Sequence, residues 1–269
     1  MIPEKGRYAV LLALLVISTA FFAMTAVRWS GDRAVADDTL YQISTIGALL
    51  DGVYDGAADI DSLLARGDTG IGTLEGLDGE LIVVDGEAWQ VKGDGTVMRV
   101  DGSTGTPFAA VTVFEPDIVF EVTGPLTLTG LEASIEAALP SENLPCAILV
   151  QGTFTNVTAR SVDRQEEPYP PLAEATKAQH VFTFGRKEGS LVGFWLPGYL
   201  AGVNVPGFHL HYLADDRTGG GHLLDATVEH ATISLDITPE IRLSLPDEGG
   251  FTAANLSGGR EAELASAER

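Results

Sequence analysis

Apolar positions along the chain change their period several times, and each change predicts an element. From Thr39 to Gly56 the apolar residues Leu40, Ile43, Ile46, Leu49, Leu50 and Val53 recur at spacings of mostly three and four. That spacing predicts one amphipathic helix ended by Gly56. A second, short helix is expected over Asp61–Ala65. Beyond it the period falls to two. ELIVVDG, EAWQVKG, TVMRVDG and FAAVTVFEP are short β-rich runs divided by Asp-Gly, Lys-Gly-Asp-Gly and Ser-Thr-Gly-Thr turns, which suggests an antiparallel meander. LEASIEAALP restores a helical face through Leu131, Ile135 and Ala138-Leu139, with Pro140 as its stop. The second half returns to β character in AILVQGTFTNVTARSV, HVFTFG, GSLVGFWLP, GFHLHYLAD and HLLDATVEHATISLDI. The final GGREAELASAER is rich in alanine and glutamate and reads as a short helix or tail.

The expected fold class is α/β in the mixed α+β sense, with two β-sheet-rich lobes and a few flanking helices. The division taken is residues 37–145 for the first lobe and 146–269 for the second, although no linker composition marks it. The N-terminus stands apart. Lys5 and Arg7 precede twenty uncharged residues, 8 to 27, long enough to span a hydrocarbon core of about 30 Å as a helix. A basic start before an apolar core also describes a secretory signal, and Ala34-Val35-Ala36 offers the small-x-small pattern of a cleavage site. Residues 1–36 are therefore expected to be a signal peptide or a membrane anchor, placing the rest outside the cytoplasm, in the periplasm or beyond.

Composition narrows the partners. Sixteen basic residues against 38 acidic give a formal charge of -22, a surface that repels phosphate backbones and argues against nucleic acid. The single cysteine, Cys146, has no partner for an internal disulfide and sits in an apolar run, where it reads as a small buried hydrophobe.

Histidine is scarce, and three of the five fall in HLHYLADDRTGGGH. On a strand His209 and His211 share a face about 6.6 Å apart. A hairpin turning about Asp216-Arg217, with the glycines allowing the turn, puts residue 211 across from residue 222, so that His222 joins them. Three neutral imidazoles with one coordination position left open is the donor set of a catalytic zinc site, though spacing alone does not name the metal. His180 and His230 lack such grouping and read as structural or solvent-facing. Arg160, a rare basic residue in a strand-like region, is a candidate anion fork or a plain salt-bridge partner. Glu80, opening a strand after a tight turn, would ordinarily be just an exposed carboxylate.

The segment LPGYLAGVNVPGFHLHYLADDRTGGGHLLD resembles the metal-binding signature of the α-acetolactate decarboxylases. GTFTNVTARSVDRQEEPYPPL and GIGTLEGLDGELIVVDGEAW resemble two further blocks of that family, in the family's order, and TLYQISTIGALLDGVYDG fits its opening. The likeness covers nearly everything from Thr39 onward. It implies a homodimer with one Zn2+ per chain and the conversion of 2-acetolactate to acetoin and CO2. By the same resemblance His209, His211 and His222 match the zinc ligands. Arg160 matches the arginine that binds the substrate, Glu80 one catalytic glutamate, and Thr73 a threonine lining the site. Glu268 is the match for a second glutamate near the C-terminus, with Glu261 and Glu263 as neighbouring alternatives. Two other classes share the histidine pattern: a three-histidine zinc hydrolase or hydratase, and a non-catalytic exported metal-binding β protein.

Overall fold

The computed structural model describes residues 38–256 and 258–268. The apolar segment 8–27 and the cleavage motif at residues 34–36 lie outside them. The first part of the chain forms β1 (Thr39–Ile43), α1 (Ile46–Leu50), β2 (Ala58–Asp59), α2 (Ile60–Leu64), β3 (Thr69–Thr73), β4 (Glu80–Val84), β5 (Glu87–Val91), β6 (Val97–Arg99), β7 (Gly105–Thr106) and β8 (Phe108–Thr112). There follow β9 (Ile118–Thr127), α3 (Leu128–Ala138), β10 (Cys146–Ser161), α4 (Leu172–Ala175), β11 (His180–Phe184), β12 (Lys187–Leu196), β13 (Gly207–Ala214) and β14 (Gly220–Ile237). The chain then runs through β15 (Glu240–Ser244), α5 (Gly250–Ala253) and α6 (Glu261–Ala267). This is the mixed α+β, sheet-rich class that the pattern implies.

Two sheets carry the structure. Seven strands stand in the order β15-β1-β8-β3-β4-β5-β6, and six in the order β11-β10-β12-β13-β14-β9, with β10 also paired to β14. That extra pairing closes β10, β12, β13 and β14 on themselves. Sheet membership does not follow a division at residue 145. β9 lies before it yet borders β14 in the second sheet, whereas β15 lies after it and runs parallel to β1 in the first. Between the sheets, Leu40, Ile71, Ile82 and Ala110 of one face pack against Leu149, Val192, Phe194 and Leu213 of the other. α3 packs Leu131 and Ile135, both fully buried, against the other face of the second sheet among Ile148, Val150, Leu210 and Tyr212.

The helix expected over 39–56 is instead strand β1, a turn at Ser44 (φ 59°) and the five-residue α1 capped by the Thr45 hydroxyl. The β alternation of β1 is hidden because one of its inward positions is polar. Gln42 is buried, and its amide donates to the carbonyls of Ser44 and Val203, both at 2.8 Å, and accepts from the Asn204 side chain at 2.7 Å. Every hydrogen-bonding need of the buried amide is met, so it replaces an apolar residue without the usual penalty of about 1–3 kcal/mol for an unmet group. The expected meander holds from β4 to β6, but β8 leaves it to pair β1 and β3 in the middle of the sheet. The short helix near residue 61, the helix at LEASIEAALP and the terminal helix fall where the pattern puts them, and Cys146 is buried with its thiol pKa pushed up by that burial.

Candidate metal centre

β-Register builds the site. His211 on β13 pairs directly with His222 on β14, as a hairpin centred between 216 and 217 requires. His222 in turn stands opposite Arg160 on β10. A guanidinium and two imidazoles thus form a row across three adjacent strands, and His209 extends it two residues along β13. Directly opposite side chains project from the same face. The three ring centroids lie 5.1–5.4 Å apart, and one nitrogen from each ring lies within 4.8 Å of the others.

The turn itself is not made by glycine. It spans Asp215–Thr218, where Arg217 takes the positive φ (56°), its amide bonds the Ala214 carbonyl at 2.9 Å, and the Asp216 carboxylate accepts from the Thr218 amide and hydroxyl. The glycines serve the strand that follows. Gly221 has φ 131°, and a Cβ there would fall 2.4 Å from the Arg160 carbonyl oxygen. Only a glycine lets β14 come this close to β10, which is what puts His222 beside Arg160.

The first sheet supplies the opposite wall. Thr73 ends β3 and pairs with Glu80, which begins β4. The link between them turns at Gly79 (φ 75°), where a side chain would meet the Val91 carbonyl at 2.1 Å, and the Thr73 hydroxyl donates to the Gly79 carbonyl at 2.7 Å. Next along β4, the Leu81 carbonyl sits 3.0 Å from Nδ1 of His211. With the proton on Nδ1, that bond fixes the tautomer and turns the Nε2 lone pair into the site.

Glu80 Oε2 is 3.5 Å from His211 Nε2, and Glu268 Oε2 is 3.5 Å from His222 Nε2 and 3.8 Å from His209 Nε2. Arg160 reaches Glu80 Oε1 at 3.4 Å through Nη1 and donates from Nη2 to the Ala267 carbonyl at 2.8 Å; its Nε is buried without a hydrogen-bond partner. Burial governs the protonation states. It holds the His211 and His222 imidazoles well below their usual pKa and lowers that of His209, so all three present neutral nitrogens. It raises Glu80 to about 7, against the pull of Arg160 and with the push of Glu268. Three buried neutral imidazoles facing two carboxylates suit a cation, and a cation there would lower Glu80 again.

All seven residues singled out in the sequence line one cavity of about 40 Å³. Glu263, one of the alternatives to Glu268, turns instead to Arg260. His180 is exposed against Asp163 at 2.9 Å, and His230 is exposed. Sequence patterning did not find the walls: Phe108, Val162, Leu172 and Thr176 also line the cavity. Nor did it find a larger, mostly apolar hollow of about 410 Å³ beyond Ile46 and Glu268, bordered by Leu50, Val205, Phe208 and Leu264. Apolar residues of this kind carry no chemical signature, and only tertiary packing brings them here.

The family model for alpha-acetolactate decarboxylase matches residues 40–258. The alpha-acetolactate decarboxylase of Methanosarcina mazei is 47% identical over 234 residues, covering 87% of this chain and 81% of that protein. That of Bacillus subtilis is 41% identical over 229 residues, 85% of this chain and 89% of its own. The crystal structure of alpha-acetolactate decarboxylase from Bacillus subtilis strain 168 matches with a TM-score of 0.83 at 39% identity, covering 86% of this chain and 99% of that chain. A Staphylococcus aureus protein described as similar to alpha-acetolactate decarboxylase matches with a TM-score of 0.81 at 31% identity, over 85% of this chain and 99% of that one. Family model, relatives and solved structures agree: the chain belongs to the alpha-acetolactate decarboxylases, an enzyme family of the carboxy-lyase class.

Proposed function

We propose that this protein decarboxylates 2-acetolactate (2-hydroxy-2-methyl-3-oxobutanoate) to acetoin and CO2, using a zinc ion held by His209, His211 and His222. The observation that carries the reading is the in-register row Arg160–His222–His211 facing Glu80 and Glu268. When bound, a divalent ion held by the three imidazoles would supply Lewis acidity at the substrate's ketone oxygen, where negative charge develops.

The chain's own residues do the rest. Arg160 offers the buried, unpartnered edge at Nε to the substrate carboxylate and so orients the breaking bond across the carbonyl π system. CO2 leaves neutral, so the arginine acts through geometry more than through charge. Loss of CO2 leaves its bonding electrons on carbon as an enediolate, and a proton must be delivered there from one face. Glu80, beside His211, and Glu268, beside His209 and His222, are the groups that would hold that proton. Thr73 keeps its hydroxyl on the Gly79 carbonyl and lines the wall beside Glu80.

Purified protein assayed with racemic acetolactate before and after chelation, with zinc returned and metal counted per chain, tests the whole reading. Acetoin formation that vanishes and returns with one metal per chain is the expected result. Stoichiometric metal with no acetoin would leave the site and turn the search to hydrolase or hydratase chemistry. Export through residues 1–36 and a homodimer complete the proposal, to be checked by cell fractionation and by sedimentation. Among the described residues no helix is long and apolar enough to cross a membrane.

A further inference from the structure

The family model matches residues 40–258 and stops short of the segment that carries Glu268. That segment has little to hold it by itself. α6 has seven residues and no side-chain N-cap, and an isolated helix of this length does not persist in water. Its buried apolar anchors are Leu264 and Ala267, which enter the cluster formed by Leu49, Leu50, Leu172 and Val205. At its C-terminal end the Ala267 carbonyl accepts from Arg160 at 2.8 Å, and the Glu268 amide closes on the Leu264 carbonyl at 3.0 Å.

Among the described residues, Arg260 ties down the N-terminal end. Arg260 donates to the Asp51 carboxylate at 2.9 Å and to the Gly47 carbonyl at 3.5 Å, and its Nε reaches Glu263 at 3.0 Å. Its side chain is only 20% exposed, unlike the surface pairs Arg186–Glu229 and Arg99–Glu87. Asp51 caps the C-terminus of α1, where carbonyl oxygens already favour a cation. α1 also contributes Ile46 and Leu49 to the wall of the histidine cavity. One guanidinium thus joins the helix that walls the cavity to the helix that delivers Glu268 into it.

We propose that Arg260 is a positioning residue for the decarboxylation: its ion pair with Asp51 sets α6 so that Glu268 faces His209 and His222. The inference rests on the function proposed above. Arg260 does not reach the substrate; it acts through Glu268.

The test uses the full chain, metal-loaded, with Arg260→Gln, Arg260→Lys, Asp51→Asn and the exchange of charges Arg260→Asp with Asp51→Arg. Arg260→Gln should speed amide hydrogen exchange across residues 260–268 while leaving His211, His222 and the metal count unaffected. Its kcat should fall about 10- to 100-fold, the scale expected when a catalytic group is displaced by about 1 Å. Arg260→Lys and the charge exchange should recover most of that loss. In a Glu268→Gln background, adding Arg260→Gln should cost less than about twofold further, because both changes remove one function. If Arg260→Gln does not fold, Asp51→Asn breaks the same pair from the other side. Losses that multiply in the double variant, unaltered exchange over 260–268, or unaltered turnover would each overturn the inference. Acetoin formation by the wild type with Arg260→Gln unaffected sinks this inference alone. No acetoin from the wild type sinks the functional reading itself.

Discussion

Arg160 and Glu80 meet at 3.4 Å inside a cavity that leaves their side chains 6% and 10% exposed, so neither is an ordinary surface ion. The guanidinium holds the carboxylate in place, and burial works against its charge. Burial lets such a glutamate hold a proton more readily than an exposed one does, while a bound cation would draw it back towards its charged form. Glu80→Gln keeps the side chain's size and leaves the three imidazoles intact. It should retain one metal per chain while lowering kcat by about 10²- to 10⁴-fold, the usual contribution of a general acid. Metal analysis beside steady-state acetoin formation checks both halves, and unchanged turnover would remove Glu80 from the mechanism. At this scale the sequence was unusually legible. HxH and a third histidine equidistant from a turn centre are enough to place 211 opposite 222, because hairpin register is arithmetic. Arg160, Glu80, Thr73 and Glu268 were not legible from spacing. They lie on other strands and just past α6, with Glu80 131 residues from His211, Arg160 62 from His222 and Glu268 46 from His222, contacts that only the tertiary fold makes, and it was resemblance to a family that gave them their roles.

Among the elements, β13 and β14 hold the three imidazoles in register, and the closeness of β14 to β10 decides whether Arg160 belongs to the same row. Gly221 sits at that crossing. Gly221→Ala would place a methyl group 2.4 Å from the Arg160 carbonyl and force an L-residue to hold φ 131°, so β14 must move away. Strain of this kind costs about 1–3 kcal/mol per residue. At about 2–4 °C per kcal/mol for a protein of this size, Tm should fall by roughly 2–12 °C. Metal stoichiometry should fall too, since His222 moves with its neighbour. A variant with both quantities unchanged would show that the close approach is dispensable. The same crossing explains what patterning could and could not foresee. A run of three glycines beside a hairpin was expected to make the turn, yet the turn is made by Asp216, Arg217 and Thr218, and glycine is needed where two strands nearly touch. Strand β1 was hidden for a related reason. Its register is right, but a fully hydrogen-bonded Gln42 occupies an inward position and breaks the apolar alternation, leaving a helical period by default.

For the whole molecule the histidines sit where the two sheets face each other, so metal binding bears on more than one sheet. All three belong to β13 and β14, but His211 is also fixed by the Leu81 carbonyl on β4. A metal that draws His211 into its coordination sphere therefore strengthens a tie between the sheets, and unfolding must give up the metal and the tie together. Ligand linkage sets the scale: free zinc at a hundred times its Kd stabilises the folded state by about 2.7 kcal/mol. With about 2–4 °C per kcal/mol, the zinc-loaded protein should melt roughly 5–11 °C above the chelated form. The formal charge of -22 offers a control. Repulsion among exposed carboxylates is screened over about 8 Å at physiological salt and about 3 Å at 1 M, so added salt should raise Tm in both forms. Adding zinc only to neutralise that acidic surface would give a shift that shrinks as salt rises. A buried three-histidine site predicts a gap between loaded and chelated melting curves that persists at 1 M salt, and scanning calorimetry at both ionic strengths separates the two. Loss of the gap at high salt would put the ion on the surface and deny the buried histidines their metal.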